Sequence, residues 1–235
     1  MKRGIRIRLF QFAFRLLYNE FAFTYDTVSR LVSLGQWRNW QRSVLPYLDD
    51  IGPGVILELA HGTGALQVDL LRANYSSVAF DLSPSMGRIA RRRLSRKRLS
   101  TDFVRGDALS LPFANGSFSA VVSTFPTAFI LNPDCLVEIY RVLELRGRAI
   151  IVMSAGLEGR GPRRALIRCL YRITGQSTGP ASSAVFQRAF GGHGLSVEHI
   201  NVECEGSIIQ LAVLRKAMPE VSSRECIGLA IETQA

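Results

Sequence analysis

A glutamate buried in an apolar run, followed within six residues by two glycines, is the first place where this chain could hold a ligand. Val55-Ile56-Leu57-Glu58-Leu59-Ala60-His61-Gly62-Thr63-Gly64 passes directly into Ala65-Leu66-Gln67-Val68-Asp69-Leu70-Leu71. That order describes a buried parallel strand, a tight turn and a helix N-terminus. Gly62 and Gly64 remove Cβ atoms where a ligand must lie against the backbone, and the loop leaves N–H groups to donate. Gln67 stands where the dinucleotide fingerprint has its third glycine. A carboxylate at Glu58 suits a ligand bearing a cationic amine better than one bearing a pyrophosphate. Asp81 closes a second strand, Val78-Ala79-Phe80-Asp81, at a spacing usable for gripping ribose hydroxyls. Ser83-Pro84-Ser85-Met86 then reads as an N-cap, a proline at the first helical position and a helix start. A third strand, 102–105, leads to Gly106-Asp107-Ala108.

Taken in order, these segments resemble those of the class I S-adenosylmethionine-dependent methyltransferases. Glu58 to Gly64 looks like their first motif, Asp81-Leu82-Ser83 like their ribose-binding acid, and Gly106-Asp107-Ala108 like their adenine-contacting turn. The likeness continues through Leu111-Pro112-Phe113, residues 118–123 and Glu138-Ile139-Tyr140-Arg141-Val142-Leu143. The resemblance implies S-adenosyl-L-methionine as cofactor. Glu58 would orient the methionine amine through the loop, and Asp81 would accept from both ribose hydroxyls. Leu82 and Met86 would sandwich the adenine, with Asp107 and the Ala108 N–H at its edge. Ala60, Gly62, Thr63, Gly64 and Thr124 complete the expected cofactor-binding set. Methyl transfer from a sulfonium is an in-line displacement, so alignment and exclusion of water can supply about 7–11 kcal/mol. No catalytic base is assigned. His61 fills a variable position of the motif and is expected to point away from the ligand or to pack near a lid.

The elements that must position these residues are legible in outline. The chain has 235 residues, 47% of them hydrophobic and 20% charged, as expected for one globular domain with a sizeable core. Its net charge of +10 points to an anionic partner: nucleic acid, acidic lipid or a charged substrate. Cys135, Cys169, Cys204 and Cys226 have no paired spacing, which argues against a zinc site or disulfide framework and for a reducing cytosol. No metal site is expected. Residues 2–19 and 160–173 are basic and amphipathic, so each is read as an interfacial helix on an anionic membrane or a helix packed on the fold. Arg88, Arg91, Arg92, Arg93, Arg96, Lys97 and Arg98 crowd one helix and its end. Such a run reads as a solvated face, or else as a phosphate-binding patch.

The stretch from Tyr25-Asp26 through Ser33-Leu34-Gly35 to Trp37-Arg38 resembles the entry segment of the ubiquinone/menaquinone-biosynthesis branch. It is read as two cover helices packing Trp37 and Trp40, or as a lid in which Tyr25 touches the cofactor. Quinone C-methyltransferases carry Phe-Gly-x-Arg-Asn after strand four, whereas this chain reads Phe125-Pro126-Thr127-Ala128. The departure bears on the acceptor and leaves cofactor binding untouched.

The expected fold is an α/β Rossmann-like sandwich with a mostly parallel seven-stranded sheet, an antiparallel C-terminal hairpin, and helices on both faces. Residues 1–50 supply amphipathic and cover helices, and 51–216 the methyltransferase domain. Residues 155–180 form a lid or acceptor insertion, and 217–235 a tail. The resemblance implies methyl transfer to a small lipophilic acceptor, whether a quinone, an isoprenoid or a lipid-like molecule. The enzyme would be cytoplasmic, or peripheral on the inner face of the membrane. An RNA or other nucleic-acid methyltransferase rests only on net charge and the arginine run. A non-catalytic methyltransferase-like scaffold is opposed by the intact loop and Asp81.

Overall fold

The computed structural model describes residues 25–157 and 182–216. The basic segments 2–19 and 160–173, the insertion beyond residue 157 and the tail 217–235 lie outside the described residues. Two cover helices come first, α1 (Tyr25–Val32) and α2 (Trp37–Arg42). Then β1 (Val55–Leu59), α3 (Ala65–Arg72), β2 (Ser76–Asp81), α4 (Pro84–Ser95) and β3 (Asp102–Arg105) alternate. β4 (Phe118–Thr124), α5 (Pro133–Val142), β5 (Leu143–Leu157), α6 (Ser183–Phe190), β6 (Leu195–Cys204) and β7 (Ser207–Lys216) follow.

The seven strands form one sheet in the order β3-β2-β1-β4-β5-β7-β6. β1 pairs in parallel with both β2 and β4, while β7 runs antiparallel to β5 and β6. The chain winds outward in opposite directions from β1, so the crevice at the carboxyl ends of β1, β2 and β4 is the topological switch point where such sheets bind ligands. The expected sheet, hairpin and two-sided cover are present.

Strand period divides the core. Leu57 and Leu59 face one layer, where they join Val121, Ile151 and the α5 side chains Leu136 and Ile139. Ile56 faces the other, with Leu66 and Leu70 of α3, Val122, and Trp40 of α2. Glu58 shares the face of Ile56 by the same alternation. It is therefore a carboxylate under α3, in a largely apolar layer.

Two details differ from expectation. Arg146-Gly147 is turn chemistry and predicts a fifth strand only over 148–153, but the ladder begins at Leu143, immediately after α5. Its register shifts between the Phe118–Leu143 and Ala120–Arg148 pairs, and Arg146 (φ 69°) lies in the bulge, so the turn is absorbed into the strand. Gly206-Ser207 predicts the turn of the C-terminal hairpin. Its two loop residues are Glu205 and Gly206, both at positive φ (42° and 74°), the two-residue geometry that matches strand twist.

Arg141 shows why one resembling segment is present. Its guanidinium donates to the Phe113 and Leu111 carbonyls at 2.6 and 2.9 Å and to Glu138 Oε1 at 2.7 Å. Glu138 Oε2 in turn accepts the Leu111 N–H at 2.6 Å. This knot ties the loop after β3, which begins with Gly106-Asp107-Ala108, to helix α5.

Candidate active site

Glu58 is only 2% exposed. The Gln67 amide, oriented by its neighbours, donates to Glu58 Oε2 at 3.2 Å and to Ser77 Oγ at 3.1 Å, and accepts the Ala79 N–H at 3.2 Å. Burial, with the negative charges of Asp81 and Asp69 adding to it, pushes the Glu58 carboxyl well above the usual carboxylate range. Sequence reasoning noted Gln67 only as a missing glycine. That position is where the helix approaches the strand most closely, and here its side chain bridges β1 and β2.

Asp81, 4% exposed, reaches back from the end of β2 to the glycine loop. Its Oδ2 accepts the Gly62 N–H at 2.9 Å, and its Oδ1 accepts the Ser83 N–H at 2.8 Å. Each carboxylate oxygen has a second lone pair, so the acid can accept a ligand hydroxyl while it holds the loop. Next to it, the Gly106 N–H donates to the Asp81 carbonyl at 3.3 Å, which joins the ends of β2 and β3. Leu82 is 62% exposed there, while Met86 is fully buried. Asp107 is exposed and accepts the Leu109 N–H at 3.0 Å, and Ala108 is half-buried.

The loop fits the cofactor that the resemblance implies. Gly62 (φ 54°) has open space where a Cβ would stand, its nearest atom being the Ala60 carbonyl oxygen at 4.0 Å. A ligand can therefore lie against the backbone at this point. Gly64 serves packing, because a Cβ there would come within 2.8 Å of Ala90 Cβ on α4. Ala60 also has positive φ (58°), a strained left-handed turn directly after the strand. With Glu58 below, Asp81 beside and Gly62 open above, the residues suit a ligand carrying an amine at one end and a ribose at the other.

His61 is buried. Its ring meets Phe103 edge-on at 5.4 Å, and its Nδ1 lies 2.8 Å from the Gly62 carbonyl oxygen, so Nδ1 carries the proton. Burial lowers its pKa. A cavity of about 200 Å³ opens on this flank of Asp81, lined by His61, Arg88, Arg91, Phe103 and Arg105 among others. Cys135, the buried thiol of α5, is pushed up to about 12 by burial and by Asp107 and Glu138, so it is no nucleophile.

The cover helices are fastened to the loop. The Thr63 hydroxyl donates to Asp26 Oδ1 at 2.7 Å, and Arg93 donates to Thr63 Oγ1 at 2.9 Å and pairs with Asp26. Asp26 had been read only as part of a family-like pair, and Arg93 as one of a solvated run. Helical period singles out Arg93: Met86, Ala90 and Leu94 are buried, so residue 93 flanks that stripe and the other arginines do not. Further along, Arg38 and Arg42 both reach Asp69 Oδ1, at 2.7 and 2.9 Å, which pins α2 on α3. Tyr25 opens α1, and the expectation about its ring falls outside the described side chains.

Thr124, last residue of β4, lies across β1 from Asp81. Its Oγ1 accepts from Gln41 Nε2 at 3.2 Å. The next residue, Phe125, has positive φ (52°) and stacks on Trp37 with ring centroids 4.4 Å apart. The structure thus gathers Glu58, Ala60, Gly62, Thr63, Gly64 and Asp81 around one loop, sets Leu82, Asp107 and Ala108 along the β2–β3 ends, and puts Thr124 on the far side.

This arrangement, a switch-point glycine loop with a ribose-spaced acid and an antiparallel last hairpin, defines a class I S-adenosylmethionine-dependent methyltransferase. A family model described as "Methyltransferase domain" matches residues 56–147. The chain is 33% identical over 180 residues to a demethylmenaquinone methyltransferase of Thermus thermophilus, covering 75% of this chain and 80% of that protein. It is 31% identical over 176 residues to another from Renibacterium salmoninarum, covering 72% of each. Among solved structures, geranyl diphosphate C-methyltransferase from Streptomyces coelicolor, held with S-adenosyl-L-homocysteine, superposes with a TM-score of 0.56 at 13% identity, covering 79% of this chain and 82% of that one. That likeness shows the fold. The chain belongs to the S-adenosylmethionine-dependent methyltransferase family, in the branch of the menaquinone and ubiquinone biosynthesis methyltransferases.

Proposed function

We propose that this methyltransferase acts on a small lipophilic acceptor with a quinone-type ring, seated over the carboxyl ends of β1 and β4. S-Adenosylmethionine, when bound, supplies a methyl group already activated on a sulfonium. Asp81 holds the ribose hydroxyls while it fixes the loop through Gly62, and Leu82, Asp107 and Ala108 border the adenine. Glu58, kept in place by Gln67, offers a buried acid whose ionisation a cationic amine favours. Thr63, tied to Asp26 and Arg93, holds α1 over the loop and limits water.

The observation that carries the acceptor class is the aromatic end of β4. Phe125 and Trp37 stack where the related quinone enzymes place Arg and Asn a few residues on, so the surface offered is apolar and planar. The names of the relatives support a quinone headgroup. The change of residues supports a headgroup gripped less by charge. Arg88, Arg91, Arg92, Arg96, Lys97 and Arg98 are all exposed on and beyond α4. With segments 2–19 and 160–173, basic in sequence, they support peripheral attachment to the anionic inner face of a membrane, at on the order of 1 kcal/mol per cation near the surface. No helix among the described residues is long and apolar enough to cross a membrane.

The test is transfer of a labelled methyl group in the presence of demethylmenaquinol, isoprenoid diphosphates and structured RNA. Label in demethylmenaquinol is the expected result, and label in RNA alone would overturn the reading. Flotation with anionic vesicles at low salt tests the attachment. The intact chain should float, and a version starting near Glu20 should float much less.

A further inference from the structure

Two polar atoms at the end of β4 are buried and lack a hydrogen-bond partner among the described residues: Gln41 Oε1 and Trp40 Nε1. Gln41 is 9% exposed, and its amide nitrogen is occupied by Thr124 Oγ1 at 3.2 Å. The carbonyl half of that amide is therefore out of water with no donor among the described residues, a state that costs about 1–3 kcal/mol. The other orphans differ in kind. Those of Arg38 and Arg148 are Nε atoms of guanidinium groups that also pair through an Nη with Asp69 and Asp50, that of Asp69 is on a carboxylate that already takes two arginines, and that of Ser207 is a hydroxyl at the start of β7, away from this strand end.

Aromatic rings gather at the same strand end. Trp37 stacks on Phe125 at 4.4 Å, and Trp40 lies 6.1 Å from the same ring. Phe125 is held in the left-handed region (φ 52°) by its N–H bond to the Val152 carbonyl at 2.8 Å, a conformation a non-glycine residue adopts at some cost. An unsatisfied acceptor, an unsatisfied donor, a strained residue and stacked aromatic faces meet at the strand end opposite the ribose acid.

We propose that Gln41 is the polar anchor of the methyl-acceptor site. Its Oε1 accepts from a hydroxyl on the planar acceptor, whose ring lies against Trp37 and Phe125. The inference rests on the acceptor reading above and adds to it a residue and a chemical requirement: the acceptor carries a hydrogen-bond donor on its ring. Thr124 is then a positioning residue, since it orients the Gln41 amide. A site built to bond a hydroxyl discriminates strongly against an analogue that lacks the proton, because the buried carbonyl is left unpaired.

The chain has two tryptophans, and both flank this site, so intrinsic fluorescence reports on it directly. The probes are 1-naphthol and 1-methoxynaphthalene, matched in ring and optics, titrated into protein saturated with S-adenosylhomocysteine. The wild type should bind 1-naphthol at least tenfold more tightly. Gln41→Leu should erase that preference and leave S-adenosylhomocysteine affinity unchanged, which also shows that the variant is folded. Gln41→Glu, which keeps an acceptor oxygen, should retain the preference. In the transfer assay, Gln41→Leu should raise the acceptor KM at least tenfold with donor affinity intact. Equal binding of the two probes by the wild type, or an unchanged preference in Gln41→Leu, would overturn the proposal. A wild type that ignores quinols but discriminates the probes through Gln41 would uphold the anchor and overturn the quinone-type acceptor.

Discussion

The ends of β2 and β4 lie on opposite sides of β1 and are finished in opposite ways. At β2, Asp81 gives one oxygen to the Gly62 N–H and the other to the Ser83 N–H, and its carbonyl takes the Gly106 N–H. At β4, Thr124 holds half of a glutamine amide, the other half has no partner among the described residues, and the strand runs into a strained phenylalanine. One side is closed by the protein's own backbone, and the other is left for something to complete.

Changes on the donor side should therefore cost donor affinity or stability, and changes at the Gln41 amide should leave donor affinity intact. The largest effect is expected from Asp81→Ala, which removes the charge-assisted hydrogen bonds to the Gly62 and Ser83 N–H groups as well as the proposed ribose contacts. S-Adenosylhomocysteine binding should weaken by about 100-fold, roughly 3 kcal/mol, in a calorimetric titration. An effect below fivefold would mean that the acid is only a structural clasp.

The two glycines sharpen the contrast within the loop. Gly64→Ala puts a Cβ 2.8 Å from Ala90 Cβ at a φ of 73°, so it should cost about 2–3 kcal/mol of stability in a denaturant melt. Gly62→Ala meets open space, so its stability loss should be nearer 1 kcal/mol, from the positive φ alone. Its donor affinity should fall by more than that of Gly64→Ala. Reversal of the two readouts would place the ligand elsewhere.

Glu58 gives a pH test. Its folded-state pKa is raised by burial and by Asp81 and Asp69, so the native state holds its proton more tightly than the unfolded chain. The associated stability is fully present below the unfolded value of about 4.3 and is lost as pH rises through the folded value, at up to about 1.4 kcal/mol per pH unit. Glu58→Gln should lack this decline, so its thermal midpoint should exceed that of the wild type at pH 8 and converge with it near pH 4. Its affinity for S-adenosylmethionine should fall about tenfold, or 1.4 kcal/mol. The smallest effect belongs to the clasp on α1. A double-mutant cycle of Asp26→Asn and Arg93→Met, read in donor affinity, should give a coupling of about 0.5–1 kcal/mol, because both groups keep some solvent.

The frame of the expected donor side was legible in the sequence because it lies in short contiguous motifs. Strand, glutamate, glycine pair and helix follow one another, and Asp81 stands at the end of the next strand. Bonds that join distant segments were not legible. Nothing local to Asp26 says that it meets Thr63 and Arg93, and Gln67 looked like an absent glycine until α3 laid it over β2. The strand start at Leu143 was hidden because Arg146-Gly147 is turn chemistry, and a bulge uses the same residues. On the acceptor side the sequence showed what is missing after Phe125. That Gln41 arrives there from α2, more than eighty residues earlier, depends on Trp40 and the Asp69 ion pairs seating that helix.

The separateness of the two halves is best tested by titrating S-adenosylhomocysteine, with no acceptor present, into the wild type and Gln41→Leu under identical conditions. Micromolar binding that is the same in both within a factor of two is the expected result. Failure of the wild type to bind, or a tenfold loss in Gln41→Leu, would contradict a donor site complete in itself beside an acceptor site awaiting its ligand.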